Sequence, residues 1–525
     1  MITTPIKSNV LKEYLLGYDF QKLEYLTTGF QNGFSVGFSG NLNSQQVKNL
    51  KSTEEYPEKV DTYLLKEIEA SRIVGPLENI PFNSFHLSPI GVVPKKDPGK
   101  FRIIHHLSFP QGSSINDFIC EEYTKVRYAS IEDAIKLVKD AGQSAYMAKT
   151  DIKNAFRLIP VHPNDYPLFC FQWKDKYYYD VCLQMGCSAS CKIFEAFSSA
   201  LQWIAINKCH IDKITHILDD FFMVNADKDA CQSDLNRFLH VCDMINVPMA
   251  REKTLGPETV MTFMGYEIDS EKMEVRLPAD KIAKCIQSIE NLLERSRCTL
   301  KELQSLIGLL NFTCAVIIPG RAFLRRLIDL TIGVKKSWYS IRLDKEHKED
   351  LKLWLKFFVQ YNGKNLFHKE MFFTPELIHI YTDAAQNFGY AALFGTHFLY
   401  SAWPSSWYGK QNITFLELIP VVLAIETWGL HMRNAYVELH TDNEALVYII
   451  NKQTSKDKLI MVFIRRLVNA TLRHNIMCQA VHIPGRINNL ADALSRLQVE
   501  KFRQLHPTAD KSPTEHAPLQ HMINL

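Results

Sequence analysis

The sequence predicts an α+β multidomain chain that ends in a smaller α/β domain, and three changes of pattern carry that reading. Residues 76–270 alternate short β-type runs with helical ones. Residues 271–370 turn almost wholly helical, and from residue 375 to 497 strand patterning returns, interleaved with helices. A length of 525 residues leads one to expect three or four compact units. With 46% hydrophobic and 22% charged residues, the composition is that of folded protein and excludes a largely disordered chain.

Taken in order, residues 1–75 mix amphipathic and polar patches and read as an N-terminal extension of unknown role. The segments YMAKTD (146–151) and ITHILDDFFMV (214–224) are β-type, the second broken in the middle by two acids. Ile282, Cys285, Ile286, Ile289, Leu292 and Leu293 recur at helical spacing, and TLKE (299–302) is a capping box for the next helix. The longest uncharged run, 305–320, falls short of the ~20 residues of a membrane span and reads as a buried helix and loop. Strands are then expected at IHIYTD (378–383), GYAALF (389–394) and FLYSA (398–402). A helix from about Phe415, a strand over 436–442 and further helix follow. Residues 498–525, with Pro507, Pro513 and Pro518 among polar residues, read as a disordered tail.

Sixty basic against fifty-seven acidic residues leave a formal charge of +3, so net charge does not select the partner and local placement must. The twelve cysteines form no C-x-x-C pair and no zinc-finger spacing. Cys182, Cys187 and Cys191 read as buried free thiols. With no secretory signal at the N-terminus, an intracellular location in cytoplasm or nucleus is expected.

The chemistry begins at Asp219 and Asp220, adjacent acids between two apolar β-type runs. Taken alone they are more simply a turn, since Asp is a good turn residue. Asp151, at the end of another strand-like run, changes that balance. Three acids at strand ends are the minimum for a two-metal site, in which ions ~3.5–4 Å apart serve an in-line phosphoryl transfer.

Residues from about 88 to 269 resemble the fingers and palm of retroelement reverse transcriptases. SPIGVVPKKDPGKFR (88–102) is similar to that family's fingers hairpin, and the resemblance assigns Lys95 and Arg102 to the phosphates of the incoming nucleotide. A turn carrying Lys95, Lys96, Lys100 and Arg102 suits a polyanion, although a solvated basic hairpin has the same look. DIKNAF (151–156) is similar to the motif of the first metal aspartate. It makes Phe156 the aromatic gate that excludes a 2′-hydroxyl, unless that ring is merely core. LQMG (183–186) is similar to the loop under nucleotide and template, where Gly186 lets the backbone come close. Lys253, before TLGP, is similar to the lysine near the triphosphate, and FMGY (263–266) to the primer-grip hairpin.

Ile217-Leu218 stand where many relatives have a tyrosine, His105-His106 replace an Asp-containing stretch, and Gln184-Met185 replace a more usual Pro-x. Together with HHLSFP (105–110) and IND (115–117), these departures suggest the tyrosine-recombinase, DIRS-like branch of retrotransposons. The helical segment resembles a thumb and connection. Within it Arg321, Arg325 and Arg326 form either a solvated basic face or a phosphate-tracking surface.

In the C-terminal domain Asp383 ends the first strand, Glu417 lies in a helix, Asp442 ends a later strand and Asp492 sits in NNLADALSR (488–496). Each has a plainer use: Glu417 in a capping box with Thr414, Asp442 as a helix cap, Asp492 paired to Arg496. The domain resembles a type 1 RNase H, whose four metal acids these match in order, with His482 in VHIPG (481–485) as the histidine that assists product departure. Pro420 inside the Glu417 helix is expected to kink it.

The resemblance therefore implies a right-hand polymerase of fingers, palm and helical thumb/connection, followed by an α/β RNase H-like domain. It implies Mg²⁺ or Mn²⁺, two ions per active site, held by Asp151, Asp219 and Asp220 and by Asp383, Glu417, Asp442 and Asp492. Implied partners are an RNA template, a DNA primer/template, RNA–DNA hybrid and dNTPs, with no membrane. An integrase or recombinase would lie on separate chains or regions. The competing reading is a catalytically inactive nucleic-acid-binding remnant; seven intact acids weigh against it.

Overall fold

The computed structural model describes residues 2–42, 47–95, 99–361, 365–366, 377–433, 435–474 and 476–519. The chain divides into two compact units, Met1–Met264 with Ile268–Met273, and Gly265–Glu267 with Glu274–Leu525. It passes from one to the other at the FMGY turn, where Met264 (φ 51°) and Gly265 (φ 83°) both take left-handed backbone.

The first unit is built on a four-stranded antiparallel sheet in the order Ile214–Ile217, Asp220–Asn225, Tyr146–Asp151, Leu255–Glu258. Phe221 packs on Phe238 of helix Lys228–Ile245, and Phe222 stacks on Phe263 with ring centroids 4.7 Å apart. Both faces are therefore buried, which is why the FFMV run is continuously apolar rather than alternating. Each large side chain buried here is worth ~1.5–3 kcal/mol, enough for the sheet to hold several acids close together at its end.

The first 75 residues are integral to this unit and no separate extension. Leu11, Leu15, Leu26, Phe30, Phe34 and Val36 are buried in the same core as Phe194 and Phe197 of helix Ser190–Asn207. Phe30 meets Phe197 edge-on at 5.0 Å. Amphipathic helices Ser8–Tyr14 and Phe20–Asn32 supply this face. The basic hairpin pairs Ile90–Pro94 with Phe101–His105; Lys96 lies outside the described residues.

The second unit opens with helices Ala279–Leu293, Leu300–Thr313, Arg321–Asp329 and Lys345–Tyr361. Thr299 and Glu302 form the expected capping box. Arg325 pairs with Asp329 at 2.7 Å, and Arg326 with Glu346 and Asp350 at 3.2 and 3.5 Å. Arg325 and Arg326 are thus already engaged by acids of their own unit.

A five-stranded sheet follows in the order His397–Ala402, Gly389–Phe394, Ile378–Ala385, Tyr436–Thr441, Met477–His482. The first two pairings are antiparallel and the last two parallel. Helix Ile413–Trp428 packs on it and continues through the buried Pro420. The helical segment and this sheet share one compact unit: Arg465 donates to the Ala322 carbonyl at 3.1 Å. The expected boundary at 370–375 lies outside the described residues.

The tail departs from expectation. Residues 499–519 are not a disordered appendage: helix Val499–Leu505 buries Phe502 against Phe398, and Thr514 donates its N–H to the Phe398 carbonyl at 2.7 Å. The prolines break the helix, while the apolar positions 502, 509 and 519 supply the packing. Among the described residues no helix is long and apolar enough to cross a membrane. All twelve cysteines are free thiols, Cys182 and Cys187 buried as expected and Cys191 half-buried.

Candidate active sites

Sheet register places the first group of acids. Asp151 is the antiparallel partner of Asp220, so the last residue of one strand faces the first of the next. Leu218, at φ 51°, makes the tight turn that sets Asp219 beside them. The turn is held from outside: the Leu218 N–H donates to Glu195 Oε2 at 3.1 Å, and Glu195 also lies 3.1 Å from His216 Nε2. The Ile152 N–H donates to the Asp219 carbonyl at 3.0 Å, and the Ala250 N–H to the Asp151 carbonyl at 2.7 Å.

Burial, then Asp151 and Asp219, push the Asp220 carboxyl up to about 6. Burial and Asp151 also raise Asp219, with Lys253 and Arg102 drawing it back. Lys253 donates to Asp151 Oδ1 at 2.8 Å. Expected acids and expected lysine therefore converge on one point.

Lys95, Arg102, Asn154, Arg157 and Met185 line an open cleft. Gly186 has φ 111°, and a Cβ there would lie 3.0 Å from the His105 carbonyl oxygen. Asn116 fixes this loop, donating to the Gly186 carbonyl at 2.8 Å and accepting from the Ser188 N–H at 2.9 Å. The Phe156 ring packs edge-on to Phe194 at 5.4 Å, at the rim of the core.

Beneath the cleft lies a buried ionic group that sequence reasoning missed. Arg157 bonds Glu67 at 3.0 Å and pairs with Asp180, which is wholly buried and also accepts from Gln184 Nε2 at 2.6 Å. Burial pulls His105 down to about 4, so it is neutral beside Asp180, 3.7 Å away. No sequence signal joins these residues, because Glu67 and Arg157 stand 90 positions apart.

The second group of acids assembles across four elements. Asp383 lies in strand Ile378–Ala385, Glu417 one turn into its helix, Asp442 just after strand Tyr436–Thr441, and Asp492 in helix Asn489–Ser495. Burial, then Asp442 and Asp383, push the Glu417 carboxyl up to about 8. Burial lifts Asp383 to about 6; Asp442 and Asp492 add to this, and a hydrogen bond from Ser495 opposes it. Asp442 and Asp492 thus act on Asp383, and Asp442 and Asp383 on Glu417, which brings the four acids into one neighbourhood.

The plainer roles of Glu417 and Asp442 are filled by neighbours: Asn412 caps the Glu417 helix, and Asn443, not Asp442, caps the next. Asp492 does pair with Arg496, at 2.6 Å, while still facing Asp383. His482 is exposed at the end of its strand, register partner of Thr441. The buried Asn488, also missed, donates to the Thr382 carbonyl at 2.9 Å and anchors the Asp492 helix beside Asp383.

Residues 93–268 match the family model described as reverse transcriptase (RNA-dependent DNA polymerase). This chain carries a reverse transcriptase domain. The match takes in Lys95, Arg102, Asp151, Phe156, Gly186, Asp219, Asp220 and Lys253. The chain is 22% identical, over 83% of its length and 42% of the relative's, to a retrovirus-related Pol polyprotein from transposon opus of Drosophila melanogaster. It is 24% identical, over 69% of its length and 54% of the relative's, to a putative enzymatic polyprotein of Cassava vein mosaic virus. The chain thus spans about half the length of the curated relatives it matches.

Two solved structures share the fold at 14–15% identity over 92% of this chain. They are the foamy viral protease-reverse transcriptase with double-stranded DNA (TM-score 0.50, 83% of that chain) and with RNA/DNA hybrid (TM-score 0.51, 64% of that chain). The architecture is that of a reverse transcriptase fold followed by an RNase H-like domain.

Proposed function

We propose that this chain is a retrotransposon DNA polymerase that copies RNA and DNA templates, fused to an RNase H that hydrolyses RNA in RNA–DNA hybrids. The observation that carries it is the pairing of Asp151 with Asp220 in sheet register, with Asp219 beside them, inside the segment that matches the reverse transcriptase family. The second carboxylate group extends the reading to hydrolysis.

Both groups fit divalent cations. Hard carboxylate oxygens suit Mg²⁺ or Mn²⁺, and the raised carboxyls of Asp219, Asp220, Asp383 and Glu417 are what a cation would relieve. Two ions per site, when bound, would activate the attacking oxygen and neutralise the leaving one. Asp151, Asp219 and Asp220 would hold them in the polymerase; Asp383, Glu417, Asp442 and Asp492 would do so in the nuclease.

The chain's own residues supply the rest. Lys95 and Arg102 offer charge to a triphosphate entering the cleft they line. Lys253 holds Asp151 in place and adds positive charge there. Gly186 keeps the floor low for the base pair, Phe156 rejects the 2′-hydroxyl, and exposed His482 serves product departure in the nuclease. The DIRS-like affiliation suggested by His105-His106 and Gln184-Met185, and action inside the cell, belong to the same proposal.

The test is primer extension on RNA and DNA templates with dNTPs or NTPs, alongside cleavage of an RNA–DNA hybrid, in Mg²⁺ and in Mn²⁺. Asp219→Asn should abolish synthesis and spare cleavage, and Asp442→Asn should do the reverse. Absence of both activities from the folded wild-type chain would establish the binding remnant instead.

A further inference from the structure

Strands Ile378–Ala385 and Tyr436–Thr441 pair in parallel, with His379 opposite Glu438 and Tyr381 opposite His440. Side chains alternate along a strand, so His379, Tyr381 and Asp383 share one face of the sheet with Glu438, His440 and Asp442. The carboxylate group of the nuclease uses the later end of these strands. At the earlier end stands a second convergence with different chemistry.

His379 Nδ1 lies 2.8 Å from His440 Nε2, and Glu438 Oε2 lies 3.7 and 3.8 Å from those two nitrogens. A point equidistant from the three atoms is about 2 Å from each, which is the length of a Zn–N or Zn–O bond. A hydrogen bond between the two imidazoles accounts for the shortest of these separations and for no other. It leaves the Glu438 oxygen too far from either ring to be hydrogen-bonded.

The rings are also preset. Tyr381 stacks flat on His440 at 4.6 Å and 16°. Among the described residues the buried Nδ1 of His440 has no hydrogen-bond partner, so that ring spends its polar contact through Nε2. Burial falls from His440 through Glu438 to the exposed His379, which leaves the solvent side open to a water as fourth ligand.

We propose that His379, Glu438 and His440 form a site for a borderline transition-metal ion of the Zn²⁺ class, distinct from the carboxylate sites. Two imidazoles and one carboxylate prefer Zn²⁺ to Mg²⁺, for which imidazole is a poor ligand. A bound ion would clip together the two central strands that carry Asp383 and Asp442.

The experiment uses the untagged full chain, stripped with a chelator and returned to millimolar Mg²⁺ so that the carboxylate groups are occupied. Zn²⁺ is then titrated in competition with a chromophoric chelator, and Co²⁺ is used as a spectroscopic probe. One Zn²⁺ per chain is expected, with Co²⁺ giving ligand-field bands of a nitrogen-containing site. His379→Ala, at an exposed position, and Glu438→Gln should each weaken Zn²⁺ binding by more than about tenfold while circular dichroism stays unchanged. Asp442→Asn should leave it intact. Equal Zn²⁺ affinity in wild type, His379→Ala and Glu438→Gln would overturn the proposal, as would loss of the ion in Asp442→Asn alone.

Discussion

Glu417 shows what a single side chain contributes when it is placed for something other than stability. Burial and the charges of Asp442 and Asp383 push its carboxyl up to about 8, against 4.5 for the unperturbed group. Without metal the folded chain therefore holds a proton that the unfolded chain gives up near pH 4.5. That contribution to stability is complete below about pH 4.5 and drains away as pH rises through about 8. Metal-free protein should lose melting temperature across this window. Glu417→Gln, neutral throughout, should melt higher than wild type at pH 8 and alike at pH 4, by ~2–4 °C for each kcal/mol involved. A pH-independent difference in a calorimetric scan would remove the explanation. Phe156→Val should raise ribonucleotide use by ~10–100-fold relative to deoxyribonucleotide, read as a ratio of kcat/KM values. An unchanged ratio with a lowered Tm would make Phe156 only a core residue. Asp151, Asp219, Asp220, Asp383 and Asp442 were legible in the sequence because they stand at or near the ends of β-patterned runs, whereas Glu417 and Asp492 were found through the family resemblance. Glu67, Asp180 and Asn488 were not, since their meaning lies in contacts with residues far along the chain.

The elements that carry the acids were legible because their patterns are strong. TLKE caps its helix as read, and the strands at 378–383, 389–394 and 398–402 lie where alternation placed them. The misreadings have physical causes. Pro420 does not end its helix, which continues among buried side chains on both sides of it. Prolines after residue 506 suggested disorder, yet Phe502 is fully buried against Phe398. Phe502→Ala should cost ~3–5 kcal/mol, the usual loss for a buried phenylalanine, and lower hybrid cleavage with the melting temperature of its unit. A near-neutral effect in urea unfolding would return the tail to a passive role. Gly186→Ala forces a left-handed backbone on a residue with a Cβ and presses it toward the His105 carbonyl. It should cost ~1–3 kcal/mol and reduce synthesis without touching cleavage.

Over the whole chain, two compact units each hold acids raised by burial and then by mutual repulsion, so each should be steadied by the same cation. At pH 8, unfolding temperature should climb with the logarithm of Mg²⁺ concentration, as linkage to the folded state requires. Asp220→Asn combined with Glu417→Gln should flatten that slope, and an unaltered slope would place the responsive ions elsewhere. The order of patterns along the sequence was enough to separate a mixed α+β region from the later sheet. It did not reveal how residues 1–75 are used, because amphipathic helices without chemistry look alike whether they pack at home or against a partner.

That use has a practical edge. A shortened chain starting at Pro76 would retain Asp151, Asp219 and Asp220, and by motif it would look complete. It would nevertheless lack Leu11, Leu26 and Phe30 from the core, and it would strand Arg157 and Asp180 in the interior without Glu67. Leaving a buried charge cluster short of a partner costs several kcal/mol, a large share of what holds any domain together. An inert fragment of that kind would report a broken foundation under an intact set of tools.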